Sequence, residues 1–251
     1  MVKGSLENGI GRITLADPPL NILHRKALAG IREQLAALAA EPTLRAVVLD
    51  AEGPNFSAGA SVDEHLPPDY EAMIPEFGQT VRAVHAFPLP VLAAVRGRCL
   101  GGGFEVALAA DIVVAGESAV LGLPEIRLGV FPPAACALLP ALTHAAVAAE
   151  LVFTGAPLDA PAAAAAGLVR HVVPDHLLEE RVLELAGQIG RRSGAALRLA
   201  KRALREAADA GPGAGLDRAT RIYLDDLMAT EDAVEGLTAF VEKRPPAWSH
   251  R

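Results

Sequence analysis

Two stretches, CLGGGFEVALAAD at residues 99–111 and LGLPEIRLGVF at residues 121–131, decide how this chain is read. The first sets three glycines directly before an apolar run that suits a helix. Glycine lets a backbone approach a ligand with no Cβ in the way. A helix that starts there aims unpaired N–H groups and a partial positive charge at whatever lies in front of it. Glu105 falls in the first turn of that helix, and Glu125 falls in a Pro-Glu-Ile turn between apolar segments. Helix-dipole stabilisation alone explains one acid at a helix start, and a surface loop alone explains the other. Yet the helix continues VALAA, so most of its faces are apolar. A carboxyl buried there has a raised pKa and is costly to keep. Two such acids beside a glycine-rich helix start point to a general acid/base pair next to an oxyanion site.

Working outward, residues 2–7 and 10–15 alternate apolar and polar around Asn8-Gly9, the pattern of a hairpin. Leu28, Ile31, Leu35 and Leu38 recur at helical spacing within residues 25–40. RAVVLD at 45–50, PVLAAV at 90–95 and DIVVAG at 111–116 read as short buried strands, and FSAGAS at 56–61 as a small-residue turn. Through about residue 130 strands and helices alternate, which predicts an α/β architecture. Beyond about 133 helical patterns dominate, at 175–191, 193–209 and 216–229, with GPGAG at 211–215 as a separator. The Ala-rich run DAPAAAAA at 159–166, followed by Gly167, reads as a short helix with a glycine stop. The division expected is an α/β core over 1–190 and a helical region over 191–251.

At 251 residues with 51% hydrophobic and 21% charged side chains, the chain can bury a sizeable core. No apolar run reaches the ~20 residues of a membrane span, and MVKGSLENGI has no signal-peptide character, so neither a membrane nor a secretory route is expected. Two cysteines make no disulfide framework; a reducing cytoplasm is the expected setting. Cys99 and Cys136 read as small buried hydrophobes rather than nucleophiles. A net charge of −7 argues against nucleic acid as a partner.

Competing motifs fail on spacing. After the glycine triplet come Phe104 and Glu105, not Lys-Ser/Thr, so there is no phosphate-binding loop. Counting from Gly101, Val106 stands where a dinucleotide fingerprint needs its third glycine. Seven histidines show no metal-ligand spacing, and no metal is expected. His65, after Asp63-Glu64 in a loop, is the histidine best placed to reach a pocket. Arg191, Arg192, Arg198, Lys201, Arg202 and Arg205 read as a solvated helix face.

FSAGASVDEHL, AAVRGRCLGGGFEVALAADIVVAGESAVLGLPEIRLGVFP, LVFTGAPLDAPAAAAAGLV and ATEDAVEGLTAFVEKR together resemble the enoyl-CoA hydratase/isomerase (crotonase) family over nearly the whole chain. The resemblance implies a crotonase-like spiral of ββα units with a C-terminal helical trimerisation region, assembled as a homotrimer or homohexamer. It implies an acyl-CoA thioester as substrate, so that coenzyme A arrives with the substrate and no separate cofactor is needed. The oxyanion hole would be the N–H groups of Ala58 and Gly102, with Glu105 and Glu125 as the catalytic carboxylates. Ala60, Gly101, Leu123, Pro133, Ala134 and His65 would lie along the substrate, and Lys243 would meet a phosphate of the coenzyme.

The chain departs from the family pattern at several places. Ser61 stands where Asp is common and Leu123 where Gln is common. FPPAACALLP at 131–140 replaces a glycine-rich loop. GASVDEHLP, PEIRLGVFPPAA and ATEDAVEGLTAFVEKRPPAW are closer to the branch that hydrates cyclohexa-1,5-diene-1-carbonyl-CoA. A double-bond isomerase or decarboxylase on the same fold is the alternative, though such isomerases commonly lack one of the two carboxylates. A crotonase-fold protein that binds CoA or RNA without turnover is a third reading, which two intact glutamates and the negative charge oppose.

Overall fold

The computed structural model describes residues 1–250. β1 (Val2–Glu7) and β2 (Ile10–Leu15) pair antiparallel across Asn8 and Gly9, whose φ values of 50° and 77° suit a tight hairpin turn. α1 (Arg25–Ala39) follows, capped by the His24 side chain, and buries Leu28, Ile31, Leu35 and Leu38. β3 (Ala46–Ala51) lies parallel to β2 and is buried along its whole length. A turn at Asp63–His65 leads into α2 (Tyr70–His85). Then come β4 (Val91–Val95), β5 (Arg98–Leu100) and α3 (Gly102–Leu108). They are followed by β6 (Ile112–Gly116), β7 (Val120–Gly122) and a 3-10 turn at Pro124–Leu128.

The remainder is mostly helical. It comprises α4 (Pro133–Leu142), α5 (Ala145–Thr154), β8 (Leu158–Asp159), α6 (Ala160–Ala165) and β9 (His171–Val173). Next are α7 (Leu178–Gly190), α8 (Gly194–Ala210) and α9 (Pro212–Arg221), with a π-helical turn at Ile222–Leu227 and α10 (Glu231–Val241) closing the fold.

The strands form two sheets. One has six strands in the order β1-β2-β3-β4-β6-β9; the other has three, in the order β5-β7-β8. Each turn of the chain spends one strand on each sheet before entering a helix, as in β4-β5-α3 and β6-β7 with its 3-10 turn. That is the spiral of ββα units. Alternate residues of the large sheet serve two cores. Val47, Leu49, Val91, Ala93 and Val95 face the α1, α2 and α3 side, while Ala46, Val48, Leu92, Ala94 and Val114 pack on α7 through Leu178, Val182 and Ala186. A parallel sheet covered on both faces needs such near-continuous apolar strands.

Several expectations need correction. The second sheet was not foreseen, because its strands are only 3, 3 and 2 residues long. GPGAG separates two helices, but by Gly211 alone: Pro212 already opens α9, where a proline costs no hydrogen bond. Lys201 is not on a solvated face. It is buried, and its Nζ donates to the Leu89 carbonyl at 2.9 Å and to Asp111 at 2.6 Å, tying α8 to the core. Cys99 is buried but Cys136 is exposed. Among the described residues no helix is long and apolar enough to cross a membrane.

Candidate active site

The site grows from the junction of β5 and α3. Gly101 closes that junction with φ 51° and ψ −129°, a conformation that side chains resist. A Cβ on Gly101 would lie 2.6 Å from Oε1 of Glu125. A Cβ on Gly102 would lie 2.9 Å from the Phe77 ring and 3.1 Å from the Ala60 Cβ. The glycines are therefore there for close approach, and what approaches is a carboxylate at Gly101 and the Phe77 ring and Ala60 side chain at Gly102. Gly102 is the first residue of α3, and its N–H has no acceptor among the described residues.

The partner donor differs from the one expected. The Ala58 N–H donates to the Leu20 carbonyl at 2.8 Å, so it is not free to hold an oxyanion. At Gly59 the chain turns with φ 120°. Ser61 N–H then reaches the Leu23 carbonyl at 3.3 Å, and the Ala60 N–H between them finds no acceptor. Ala60 and Gly102 are the adjacent pair of open N–H groups.

Glu105 projects from α3, all of whose residues are buried, and is itself only 3% exposed. Its Oε1 accepts the Ala135 N–H at 2.8 Å, and the neighbouring Ala134 N–H also favours the charged form. Both residues are in the first turn of α4, so this carboxylate caps that helix. Burial nevertheless dominates, and the carboxyl is held up at about 7, with the charge of Glu125 adding to the rise. Glu125 sits on the 3-10 turn, half-buried, and burial raises its pKa as well. Its Oε2 is buried with no protein partner. Leaving an acceptor of this kind unmet is costly. Groups raised by burial and by a like charge are what acid/base work near neutral pH requires.

Leu123 is fully buried, so it backs the glutamate turn from within. Of the two α4 residues expected along the substrate, Pro133 is exposed and Ala134 half-buried, while the neighbouring Pro132 and Ala135 are buried. His65 is half-buried, with Nδ1 2.6 Å from the Ser61 carbonyl oxygen. Lys243 is exposed just beyond α10 with φ 57°, and no side-chain bond joins it to the site. A cavity of about 600 Å³ opens at the far end of α3 around Leu108, Asp111 and His171, and neither glutamate lines it. Chemistry follows the glutamates and the open N–H groups rather than that cavity. Residues 5–251 match the family model described as enoyl-CoA hydratase/isomerase.

The chain belongs to the enoyl-CoA hydratase/isomerase family. Among its relatives, a cyclohexa-1,5-dienecarbonyl-CoA hydratase of Thauera aromatica is 44% identical over 243 residues, covering 96% of this chain and 93% of that one. A 2,3-dehydroadipyl-CoA hydratase of Escherichia coli is 37% identical, covering 92% of this chain and 91% of the other. The crystal structure of an enoyl-CoA hydratase from Bacillus anthracis superposes with a TM-score of 0.94 at 34% identity, over 100% of this chain and 99% of that one. The crotonase fold expected from the sequence is thus shown. Of the site residues, Glu105, Glu125, Gly101 and Gly102 are brought together, the open N–H belongs to Ala60 and not to Ala58, and Lys243 makes no side-chain hydrogen bond to any of them.

Proposed function

We propose that this chain is a hydratase that adds water across the double bond of an α,β-unsaturated acyl-CoA, and that its preferred acyl group is a cyclic diene. The observation that carries the reading is the juxtaposition of two open N–H groups, at Ala60 and Gly102, with two carboxyls of raised pKa. The thioester oxygen would accept from both N–H groups and hold the charge of the enolate. Glu105 and Glu125 would bind one water between them. As the water oxygen bonds to Cβ, one of its protons passes to Glu105, and the electron pair of the double bond moves toward the carbonyl. Glu125 then gives its proton to Cα, and the carboxyls re-equilibrate once product leaves. Roles within such a coupled pair are shared rather than strictly divided.

The cyclic preference rests on two supports. The Thauera aromatica relative carries that substrate in its name. The α4 start, with Pro132 turned inward and Ala135 buried, is a stiff apolar edge better matched to a ring than to a flexible chain. Incubation with a panel of enoyl-CoA and cyclic dienoyl-CoA thioesters, read by mass spectrometry for the gain of one water, tests the reaction. kcat/KM for cyclohexa-1,5-diene-1-carbonyl-CoA should exceed that for crotonyl-CoA by at least ~10-fold, on the scale of a methylene-sized misfit. A ratio favouring crotonyl-CoA rejects the cyclic substrate and leaves the hydratase.

A homotrimer, alone or stacked as a hexamer, is part of the same reading, with residues 191–251 as the assembling region. Leu216, Leu224, Val234, Leu237 and Phe240 are 69%, 62%, 55%, 55% and 83% exposed, an apolar face too large for a solitary protomer. Ile222, in the same stretch, is buried and adds nothing to that face. Truncation before residue 216 should abolish assembly by light scattering; a soluble active trimer after truncation would contradict it.

A further inference from the structure

Ser57 is fully buried and bonds to both segments that carry an open donor. Its N–H donates to the Arg98 carbonyl at 3.0 Å, and its own carbonyl accepts the Leu100 N–H at 2.9 Å. It is thereby stitched to both ends of β5, which runs directly into Gly101 and Gly102. A Cβ on Gly103 would lie 2.6 Å from the Ser57 Cβ, so the serine is packed against the first turn of α3. The Ser57 hydroxyl reaches the other donor's loop. Its Oγ accepts the Gly59 N–H at 3.1 Å and donates to the Asn21 carbonyl at 2.8 Å. Asn21 is itself buried and fixed. Its Nδ2 donates to the Glu52 and Asn55 carbonyls at 2.9 and 2.8 Å, and its Oδ1 accepts the Asp17 N–H at 2.9 Å.

The peptide that carries the Ala60 N–H is pinned from its carbonyl end. The Leu23 N–H donates to the Gly59 carbonyl at 2.9 Å, and the Gly59–Ala60 peptide is trans. The carbonyl and N–H of a trans peptide point opposite ways, so the Ala60 N–H is turned away from Leu23. Gly59, with φ 120°, brings this peptide to the junction of β5 and α3. A Cβ on Gly59 would lie 3.2 Å from the Leu100 carbonyl oxygen and 3.9 Å from the Gly102 nitrogen. The Ser57 hydroxyl holds the preceding peptide through the Gly59 N–H, so both peptides that meet at Gly59 are tied down. Glycine allows many backbone conformations, and without the tie its peptides are free to turn. A turned Gly59–Ala60 peptide would offer a ligand a carbonyl in place of a donor.

We propose that Ser57 is the positioning residue of the donor pair: one buried hydroxyl, backed by Asn21, fixes the Ala60 N–H beside the Gly102 N–H by joining the loop of the first to the strand that leads to the second. Its catalytic meaning rests on the hydratase reading; its geometry does not. Ser57 touches no reacting atom and acts through the two N–H groups.

Two readouts on the full chain test this, the first without any ligand. Hydrogen exchange over residues 57–61 should quicken by ~10-fold in Ser57→Ala, the weight of about one lost hydrogen bond. The second readout is the absorbance of bound 4-aminocinnamoyl-CoA at saturation. Its amino group feeds electrons toward the thioester, which makes it a poor acceptor of water, and its band moves to longer wavelength when the carbonyl is polarised. Ser57→Ala should lose most of that displacement, and kcat on an enoyl-CoA should fall by ~10-fold or more, short of the full loss of a donor, with KM changed little. Ser57→Cys keeps a weak hydrogen-bonding group and should show each effect in smaller measure; where Ser57→Ala fails to fold, it carries the same readouts. Unmoved exchange, or a displacement kept in full beside quickened exchange, overturns the proposal. No displacement in the wild-type protein would instead remove the reading of the pair as thioester donors, while exchange still decides whether Ser57 holds the loop.

Discussion

Glu105 and Glu125 come from two regions built on opposite terms. Glu105 belongs to a seven-residue helix in which every residue is buried, and the Ala135 N–H of α4 holds its carboxylate. Glu125 belongs to a 3-10 turn with no buried residue, and one of its oxygens is enclosed without any partner. The first region is finished without a ligand; the second is not. The difference teaches how a pair of like acids is divided. The fixed, desolvated acid supplies a stable reference point for water, and the incompletely satisfied one supplies the oxygen that a water or substrate must complete.

The comparison breaks if either acid is dispensable. Glu105→Gln and Glu125→Gln should each lower kcat on the true substrate by ~10²–10⁴, the usual worth of general acid/base catalysis. Stopped or steady-state loss of the conjugated thioester absorbance reads both, and near-normal turnover in either removes that residue from the mechanism.

Next in size is the donor pair. Gly102→Ala would push a methyl group against the Phe77 ring at 2.9 Å and against Ala60 at 3.1 Å, displacing the open N–H groups. A loss of ~10²–10³ in kcat is expected, the usual effect of an oxyanion donor. Circular dichroism should remain that of the folded protein. Wild-type turnover in a folded Gly102→Ala variant would contradict the assignment.

The smallest effect is on stability, and it sharpens the contrast. The Glu105 carboxyl is held up from 4.5 to about 7. In acid below that range both folded and unfolded chains keep the proton, and nothing is lost. As the pH rises through it, only the unfolded chain releases the proton easily, so folding loses stability until about pH 7. Each pH unit of displacement corresponds to about 1.4 kcal/mol. Glu105→Gln should therefore match wild type near pH 4 and be more stable at pH 8, by on the order of a few kcal/mol, in urea unfolding. Glu125→Gln should gain less, because its carboxyl is only partly desolvated. Equal gains would erase the distinction between the two regions.

Much of this was legible in the sequence where local chemistry dominates. Asn8-Gly9 announces its hairpin because few other pairs accept positive φ. The spacing of Leu28, Ile31, Leu35 and Leu38 announces α1 because one stripe must be buried. Glu105 and Glu125 stood out as acids in apolar company, and they are the two raised carboxyls of the site. What failed depends on distant partners. Whether Ala58 or Ala60 offers a free N–H is decided by Leu20 and Leu23 and by the turn at Gly59, none of which a run of small residues reveals. Lys201 is buried because Asp111 and the Leu89 carbonyl wait for it across the fold. Pro132 and Pro133 exchange inward and outward places because the start of α4 is set by the Glu105 carboxylate, thirty residues earlier for Ala135. The strands of the small sheet are too short to show periodicity at all.

The central claim is that the two glutamates act as one unit despite their different settings. A double-mutant cycle on kcat, with Glu105→Gln, Glu125→Gln and the double variant assayed on the same enoyl-CoA, tests it most directly. Residues that work as a unit lose about as much singly as together. The double variant should fall little further than the worse single variant. Losses that multiply, so that the double variant falls by the product of the two single effects, would show two independent groups and contradict the account.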